Sequence, residues 1–443
     1  MTRWQRLAAP SLALVLLLAA CSSGGNTSAS PTTGGAASGS QPAGGSEDLS
    51  GQEVTVIGAY GGDEEKAFHE MVKPWEDQTG ATVKYTGTRD LNAVLTTGTA
   101  SGVLPDIAGL PGPGQLQEFA TGGSLKPLDD VLDINTYKDE TAPALVELGT
   151  VNDKIYGVFI KAAVKGLMWY NPSVVNYGDN TPATYDDLKA ALQSNASKAQ
   201  AQWCLGIESG AASGWPGTDW IEDFVLRQSG ADVYNQWWQG KVKWSDPAIK
   251  QAWEAYGDVV KNSLGGATTA AATNFANAGD PLFASPAGCQ LLHQASFITG
   301  LGAFKDKKAG TDYDFFPFPD INSQYAGAVE GAGDIFGMFH DTPAAKSLMK
   351  YLVTADAQKI WVGIGGALSA NKNVTNYPDD IAKRSAELLT NAKIFVFDAS
   401  DLMPTSVNSA FWSGILEYTQ DPSKLDSILA NLDQVTADAA AAQ

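Results

Sequence analysis

The side chains best suited to chemistry in this sequence are flat rings set beside acids. The chain has 12 tryptophans, and Trp215 and Trp220 fall in one glycine-containing run, Gly214 to Trp220 (GWPGTDW). Trp412 ends the run Met403 to Trp412 (MPTSVNSAFW). A Trp ring packs on apolar C–H faces, and nearby Asp, Glu, Arg or Asn make charge-assisted hydrogen bonds to hydroxyls. A sugar presents both kinds of surface, so rings and acids together suit a sugar platform. Core packing is the competing role for any one tryptophan. It fits Trp237, Trp238, Trp244 and Trp253 better, because these lie on predicted helices. The candidate polar partners are Tyr60, Arg89, Asp90, Asp106, Gln294, Asp334 and Asp401. Asp90 could instead cap a helix, and Asp106 could cap local structure. Asp334 ends Gly331-Ala-Gly333-Asp334, whose glycines permit close backbone approach, so Gly333 joins the candidates.

Covalent chemistry has less support. The sequence contains no HExxH, GxSxG or GxxxxGK[ST] pattern. His69, His293 and His340 lack metal-ligand spacing and read as structural. A carboxylate pair for glycoside hydrolysis is conceivable, but 49 acidic residues bring some acids close by chance. We therefore expect a binding protein rather than an enzyme, with no metal or cofactor.

These residues need elements to hold them. Val54 to Ile57 reads as a buried strand, and Asp63 as an N-cap. Ala67, Phe68, Met71, Val72 and Trp75 recur at helical spacing up to Gly80. Ala81 to Thr86 is a second strand, Leu91, Val94 and Leu95 mark a helix after Asp90, and Pro105 to Ala108 starts a third strand. Such alternation implies a parallel sheet covered by helices, with ligands beyond the carboxyl ends of its strands. Those ends are Tyr60-Gly61, Thr88 to Asp90 and Gly109 to Gly114. Further helices start at Thr184, at Ser245-Asp-Pro and at Thr342-Pro343.

The N-terminus is an export signal. Arg3 and Arg6 precede an apolar run, Leu7 to Ala20, which is too short to span a bilayer. Leu18-Ala19-Ala20-Cys21 matches the lipobox of bacterial lipoproteins, in which the cysteine is acylated; an ordinary signal with a chance cysteine is the alternative. Ser22 to Ser46 holds only Ser, Gly, Thr, Ala, Pro, Asn and Gln, a composition that stays disordered. As a coil this tether spans roughly 25–30 Å. Cleavage before Cys21 leaves 27 basic and 49 acidic residues, a net charge of −22. That balance disfavours nucleic acid and anionic lipid surfaces. Outside the membrane Cys204 and Cys289 most simply form a disulfide, two buried thiols being the alternative.

The exported lipoprotein signal, the tether and the βαβαβ start resemble an extracellular solute-binding protein of a carbohydrate ABC importer. Trp203 to Arg227 (WCLGIESGAASGWPGTDWIEDFVLR) is similar to the central segment of alpha-glucoside-binding receptors. Gly288 to Ile298 (GCQLLHQASFI) and Asp314 to Pro319 (DFFPFP) match the same subgroup. Met403 to Trp412 resembles the C-terminal stretch of maltodextrin-binding proteins, in which the ring matching Trp412 stacks on sugar. Asp106 matches a recurrent PD(I/V) of the family. The loop Gly109 to Gly114 (GLPGPG) departs from its pattern. The resemblance implies an α/β two-lobe fold of the periplasmic-binding-protein type II, with a ligand cleft between lobes. Its expected limits are signal peptide 1–20, lipidated cysteine and linker 21–47, N-lobe 48–160 plus 311–340, and C-lobe 161–310 plus 341–443. Crossings between lobes are expected near Phe159 to Lys161, Lys308 to Asp312 and Phe339 to Thr342. It further implies an alpha-linked di- or oligosaccharide as ligand and a membrane permease as partner. The chain itself would be a monomer, lipid-anchored on the outer face of the membrane, binding no nucleotide. Another sugar or a polyamine as ligand, and a secreted glycosidase, are the competing readings.

Overall fold

A computed structural model describes residues 47–178 and 180–442. The signal segment, Cys21 and the tether up to Ser46 lie outside the described residues. Among the described residues, no helix is long and apolar enough to cross a membrane.

The chain opens as β1 (Glu53–Gly58), α1 (Asp63–Thr79), β2 (Thr82–Gly87), α2 (Leu91–Ser101), β3 (Ile107–Leu110) and α3 (Pro113–Thr121). β1 pairs in parallel with both β2 and β3. The apolar stripe read from the sequence is the buried face of α1: Ala67, Phe68, Met71, Val72 and Trp75. Gly80 ends this helix in the left-handed conformation (φ 75°), its N–H donating to the Glu76 carbonyl. One expectation shifts by a residue. Gly62 occupies the cap position, and Asp63, already helical, pairs instead with Lys66 and Lys305.

The remaining strands are β4 (Thr150–Val151), β5 (Lys154–Ile155), β6 (Gly157–Val164), β7 (Leu167–Tyr170), β8 (Ala201–Cys204), β9 (Cys289–Gln294), β10 (Asp314–Pro317), β11 (Ala328–Met338) and β12 (Ile394–Phe397). A six-stranded sheet runs β12-β11-β3-β1-β2, with β6 also paired to β11; a four-stranded sheet runs β10-β7-β9-β8. β11 is the connecting girder. It lies antiparallel to β3 and β6 and parallel to β12, and its register breaks between Asp334 and Ile335.

Two sheets with separate helical covers make the expected two-lobe α/β fold. The chain passes from the first sheet to the second at Lys165-Gly166, between β6 and β7, and returns between β10 and β11. It leaves again after β12, where Ala399 and Met403 join the core of the second lobe. The sequence-based limits put 311–340 with the first lobe, whereas β10 pairs with β7 of the second sheet. They also put 341–443 with the second lobe, whereas the helices Pro343–Leu352 and Ala355–Ile364 pack on α1 in one apolar cluster. A strand's hydrogen-bond partner is a long-range fact that local pattern does not carry.

Local signals elsewhere held. Thr184 and Asp187 form a reciprocal capping box. Asp246 and Thr342 cap the next two expected helices. Trp237, Trp244 and Trp253 are fully buried, in keeping with the core role expected of them. Cys204 and Cys289 are joined across the paired strands β8 and β9, with Cα atoms 5.3 Å apart.

Candidate ligand-binding site

Between the lobes lies a cavity of about 610 Å³, within the roughly 300–1,000 Å³ usual for small-ligand sites. Its walls come from strand ends and helix starts, as a parallel sheet dictates. The first lobe supplies Tyr60 after β1, Arg89 and Asp90 after β2, and Glu64 from α1. The crossing strands supply Lys161, Gly333 and Asp334. The second lobe supplies Trp215 and Asp219 from the start of helix Trp215–Trp238, Phe275, Phe297, Asp398, Asp401 and Trp412.

Of the sugar-platform candidates, Tyr60, Arg89, Asp90, Trp215, Gly333, Asp334, Asp401 and Trp412 converge on this cavity. Three others do not line it. Asp106 accepts from the Thr55 N–H and hydroxyl, both at 2.8 Å, so its local structural role prevails. Trp220 is buried in the second core, stacked on His293 at 4.2 Å. Gln294 is buried in β9, where its side-chain oxygen accepts from the Ala295 N–H. Asp90 occupies the cap position of α2 without a side-chain cap bond and is exposed at the cavity wall.

The sequence reading missed two buried lysines that organise the site. Lys161 lies 3.0 Å from Glu64 and 3.2 Å from Asp334, over the rings of Trp361 (4.6 Å) and Tyr60 (5.0 Å). Lys165 donates to both oxygens of Asp219 at 2.9 Å, lies 2.7 Å from Asp398, and sits 5.1 Å from the Trp215 ring. Burial alone would lower the affinity of Lys165 for its proton, but Asp219 and Asp398 reverse this and hold it well above its usual value. In the sequence Lys161 marks only an expected crossing point. A lone lysine in an apolar strand is the one signal that could have marked either residue.

Helix Trp215–Trp238 carries this chemistry because its spacing stacks one face. Asp219, Glu222, Asp223 and Arg227 recur at three- and four-residue intervals, and all are buried. Glu222 accepts from the backbone N–H groups of Ala399 (2.8 Å) and Ser400 (3.3 Å), which fixes the start of helix Ala399–Leu402. Asp398 caps the same helix, accepting from the Asp401 N–H at 3.1 Å and the Ser400 hydroxyl at 2.8 Å. Asp401 is thus presented to the cavity by a doubly anchored turn. Asp219, Glu222 and Asp398 are close enough to hold a cation, and the Lys165 ammonium already fills that role.

Two glycine contacts set the walls. Gly214 (φ 111°) lets the chain before Trp215 press on the backbone of Trp412, where a Cβ would fall 2.4 Å from its carbonyl oxygen. Gly112, in the departing loop, packs as tightly on Asp401, with a Cβ position 2.3 Å from that carbonyl oxygen. The loop's glycines therefore draw the first lobe onto the turn that carries Asp401.

The floor holds more acid than base. The cavity lining counts six carboxylates (Glu64, Asp90, Asp219, Asp334, Asp398 and Asp401) against Arg89, Lys161 and Lys165. Burial opposes ionisation of Asp398, yet Lys165, Ser400 and the Asp401 N–H hold it below its usual range. Burial pushes Asp219, Glu222, Asp334 and Asp401 up. Glu330 on β11 is fully buried, with no partner for either carboxyl oxygen. Burial, then Glu222 and Asp223, raise it well above its ordinary value. The native state therefore keeps a proton there that the unfolded chain releases above about pH 4.3. Stability is lost as pH rises from that value towards the native one. Glu330→Gln should raise the melting temperature at pH 8 and flatten its fall between pH 5 and 8. Parallel melting curves for the two proteins would show that Glu330 is ionised in the native state.

Residues 61–359 match the bacterial extracellular solute-binding protein family. The chain is 35% identical over 386 residues to the osmoprotective compounds-binding protein GgtB of Synechocystis sp., covering 85% of this chain and 91% of that one. It is 35% identical over 396 residues to the alpha-glucosides-binding periplasmic protein AglE of Rhizobium meliloti, covering 86% of each. Among solved structures it resembles a chitin oligosaccharide binding protein, with a TM-score of 0.73 and 22% identity over 87% of this chain and 99% of that one. It also resembles RafE in complex with raffinose, with a TM-score of 0.68 and 17% identity over 87% and 98%. At these identities the two structures speak for the fold.

Proposed function

The chain belongs to the bacterial extracellular solute-binding proteins, and on that premise we propose that it is the receptor of an ABC sugar importer, binding an alpha-linked di- or oligosaccharide between its lobes. The observation that carries this reading is the pairing of Trp215 and Trp412 with Asp219, Asp334, Asp398 and Asp401 around one cavity. Rings take the C–H faces of the sugar, and fixed carboxylates take its hydroxyls. The alpha-glucoside class rests further on the likeness to AglE over most of both chains. A polyamine is the second reading, favoured by the six carboxylates of the lining. Against it, Lys161 and Lys165 already pair with four of them, Asp334 among them.

We assign the lobes anew from strand pairing and packing. The first takes 48–164, 328–364 and β12; the second takes 167–317 and 399–442. Closure needs contacts that are better in the closed state. The closed form would then dock on a membrane permease. The LAAC sequence at Cys21 supports an acylated anchor, and the tether would keep the receptor concentrated near its permease.

A thermal-shift panel of maltose, sucrose, trehalose and spermidine tests the ligand class. Stabilisation by one of the disaccharides, with that sugar recovered intact, is the expected result. Stabilisation by spermidine alone would replace the sugar reading, and released glucose would make the protein a glycosidase.

A further inference from the structure

We propose that Asn92 is a specificity-determining residue whose amide donates to a sugar oxygen that can only accept, and that Gln115 is the positioning residue that turns the amide that way. The inference deepens the sugar-receptor reading and rests on it.

Asn92 stands in the first turn of α2 and lines the cavity beside Arg89 and Asp90. Next to it lies α3, which opens just after the loop that departs from the family pattern. Gly114 seats the start of α3 on the end of helix Ala399–Leu402: a Cβ there would fall 2.1 Å from the Met403 carbonyl oxygen. That contact fixes Gln115, which is buried and does not line the cavity. The Gln115 amide nitrogen donates to the Asn92 side-chain oxygen at 2.9 Å, the one hydrogen bond of the Asn92 side chain among the described residues. With its oxygen held from outside the cavity, the Asn92 amide keeps two N–H groups to offer. Reversing both amides would keep the contact but turn the Asn92 carbonyl towards a lining with six carboxylates. The charges of the lining therefore select the form with N–H facing the cavity.

Sugar chemistry gives such a donor its work. Hydroxyls both donate and accept, whereas ring and glycosidic oxygens only accept. Ionised carboxylates also only accept, so Asp90, Asp334 and Asp401 can serve hydroxyls but not those ether oxygens. Lys161 and Lys165 are tied to carboxylates, and Arg89 is shared between Glu64 at 3.6 Å and the Phe275 ring at 4.7 Å. Asn92, Trp215 and Trp412 are the neutral side-chain N–H donors of the lining. Of the three, only the amide can turn over and become an acceptor, and Gln115 prevents that.

Calorimetric titration of maltose, sucrose and trehalose into wild type and variants tests the assignment. Asn92→Ala should weaken binding about tenfold, the worth of one hydrogen bond. Asn92→Asp still accepts from Gln115 but meets the sugar with an acceptor, and should weaken binding by about a hundredfold. Melting temperatures of both should stay near that of the wild type. Gln115→Met frees the amide to turn over, so about half the molecules would present nitrogen and affinity should fall about two- to threefold. In an Asn92→Ala background the same substitution should change nothing, an outcome that a merely structural role of Gln115 would not give. Wild-type affinity in Asn92→Asp, or an equal loss from Gln115→Met with and without Asn92, would overturn the proposal and leave the sugar reading standing. Binding of none of the three sugars by the wild type would overturn the sugar reading and this inference with it.

Discussion

Trp412→Ala should weaken ligand binding by at least about thirtyfold, corresponding to about 2 kcal/mol or more for a buried aromatic anchor. The ring lines the cavity from helix Thr405–Gln420, and its indole N–H is buried without a partner among the described residues. A ligand oxygen would satisfy that donor, while the ring face covers a C–H surface. The melting temperature of the unliganded protein should fall little, because the ring is only half-buried and the helix is held by Phe411 and Ile415, both fully buried. Calorimetric titration of wild type and variant with the disaccharide chosen by the panel checks both halves. An unchanged dissociation constant would remove Trp412 from the site, and a collapse of the melting temperature would make it a core residue. Trp220→Ala should behave in the opposite way, since that ring lies in the second core and away from the cavity.

Lys165→Met should cost about 3–5 kcal/mol of stability, the usual consequence of removing one partner from a buried ion network. The methionine keeps the volume of the stem but leaves Asp219 and Asp398 without their counter-ion. Both carboxylates are buried, and Asp398 also holds the turn that presents Asp401. Ligand binding should fall with stability, because Trp215 and Asp401 lose the group that ties their two segments together. The deficit should be pH-dependent. Stranded carboxylates are relieved by protonation, so the stability gap between variant and wild type should shrink from pH 8 to pH 5. Urea denaturation at the two pH values measures it. An equal gap at both would mean that the cost comes from lost packing and not from uncompensated charge.

The two variants probe features that were unequally visible beforehand. Trp412 stood out because a tryptophan near a glycine and polar residues, in a segment resembling a sugar receptor, has a recognisable job. Lys165 did not, because its meaning depends on partners 54 and 233 positions away in sequence, Asp219 and Asp398. Asp106 and Gln294 failed as cavity residues for the same reason in reverse. Gln294 ends β9 and Asp106 stands just before β3, but Asp106 points to Thr55 and Gln294 turns to its own neighbour's N–H. Strand ends can be read from a period of two, but the destination of a polar side chain at that end cannot.

By itself the sequence determined the βαβαβ opening, several of the caps and glycine stops of its helices, the family, and the rings that could suit a sugar. These rest on composition and on residues within a few positions of one another. Only the tertiary structure decided which strands share a sheet, where the chain crosses between lobes, and that Lys161 and Lys165 bind the carboxylates of the cavity floor. Those are contacts between distant segments. They depend on how two lobes and their crossing strands pack, and only packing puts a particular acid within reach of a particular lysine.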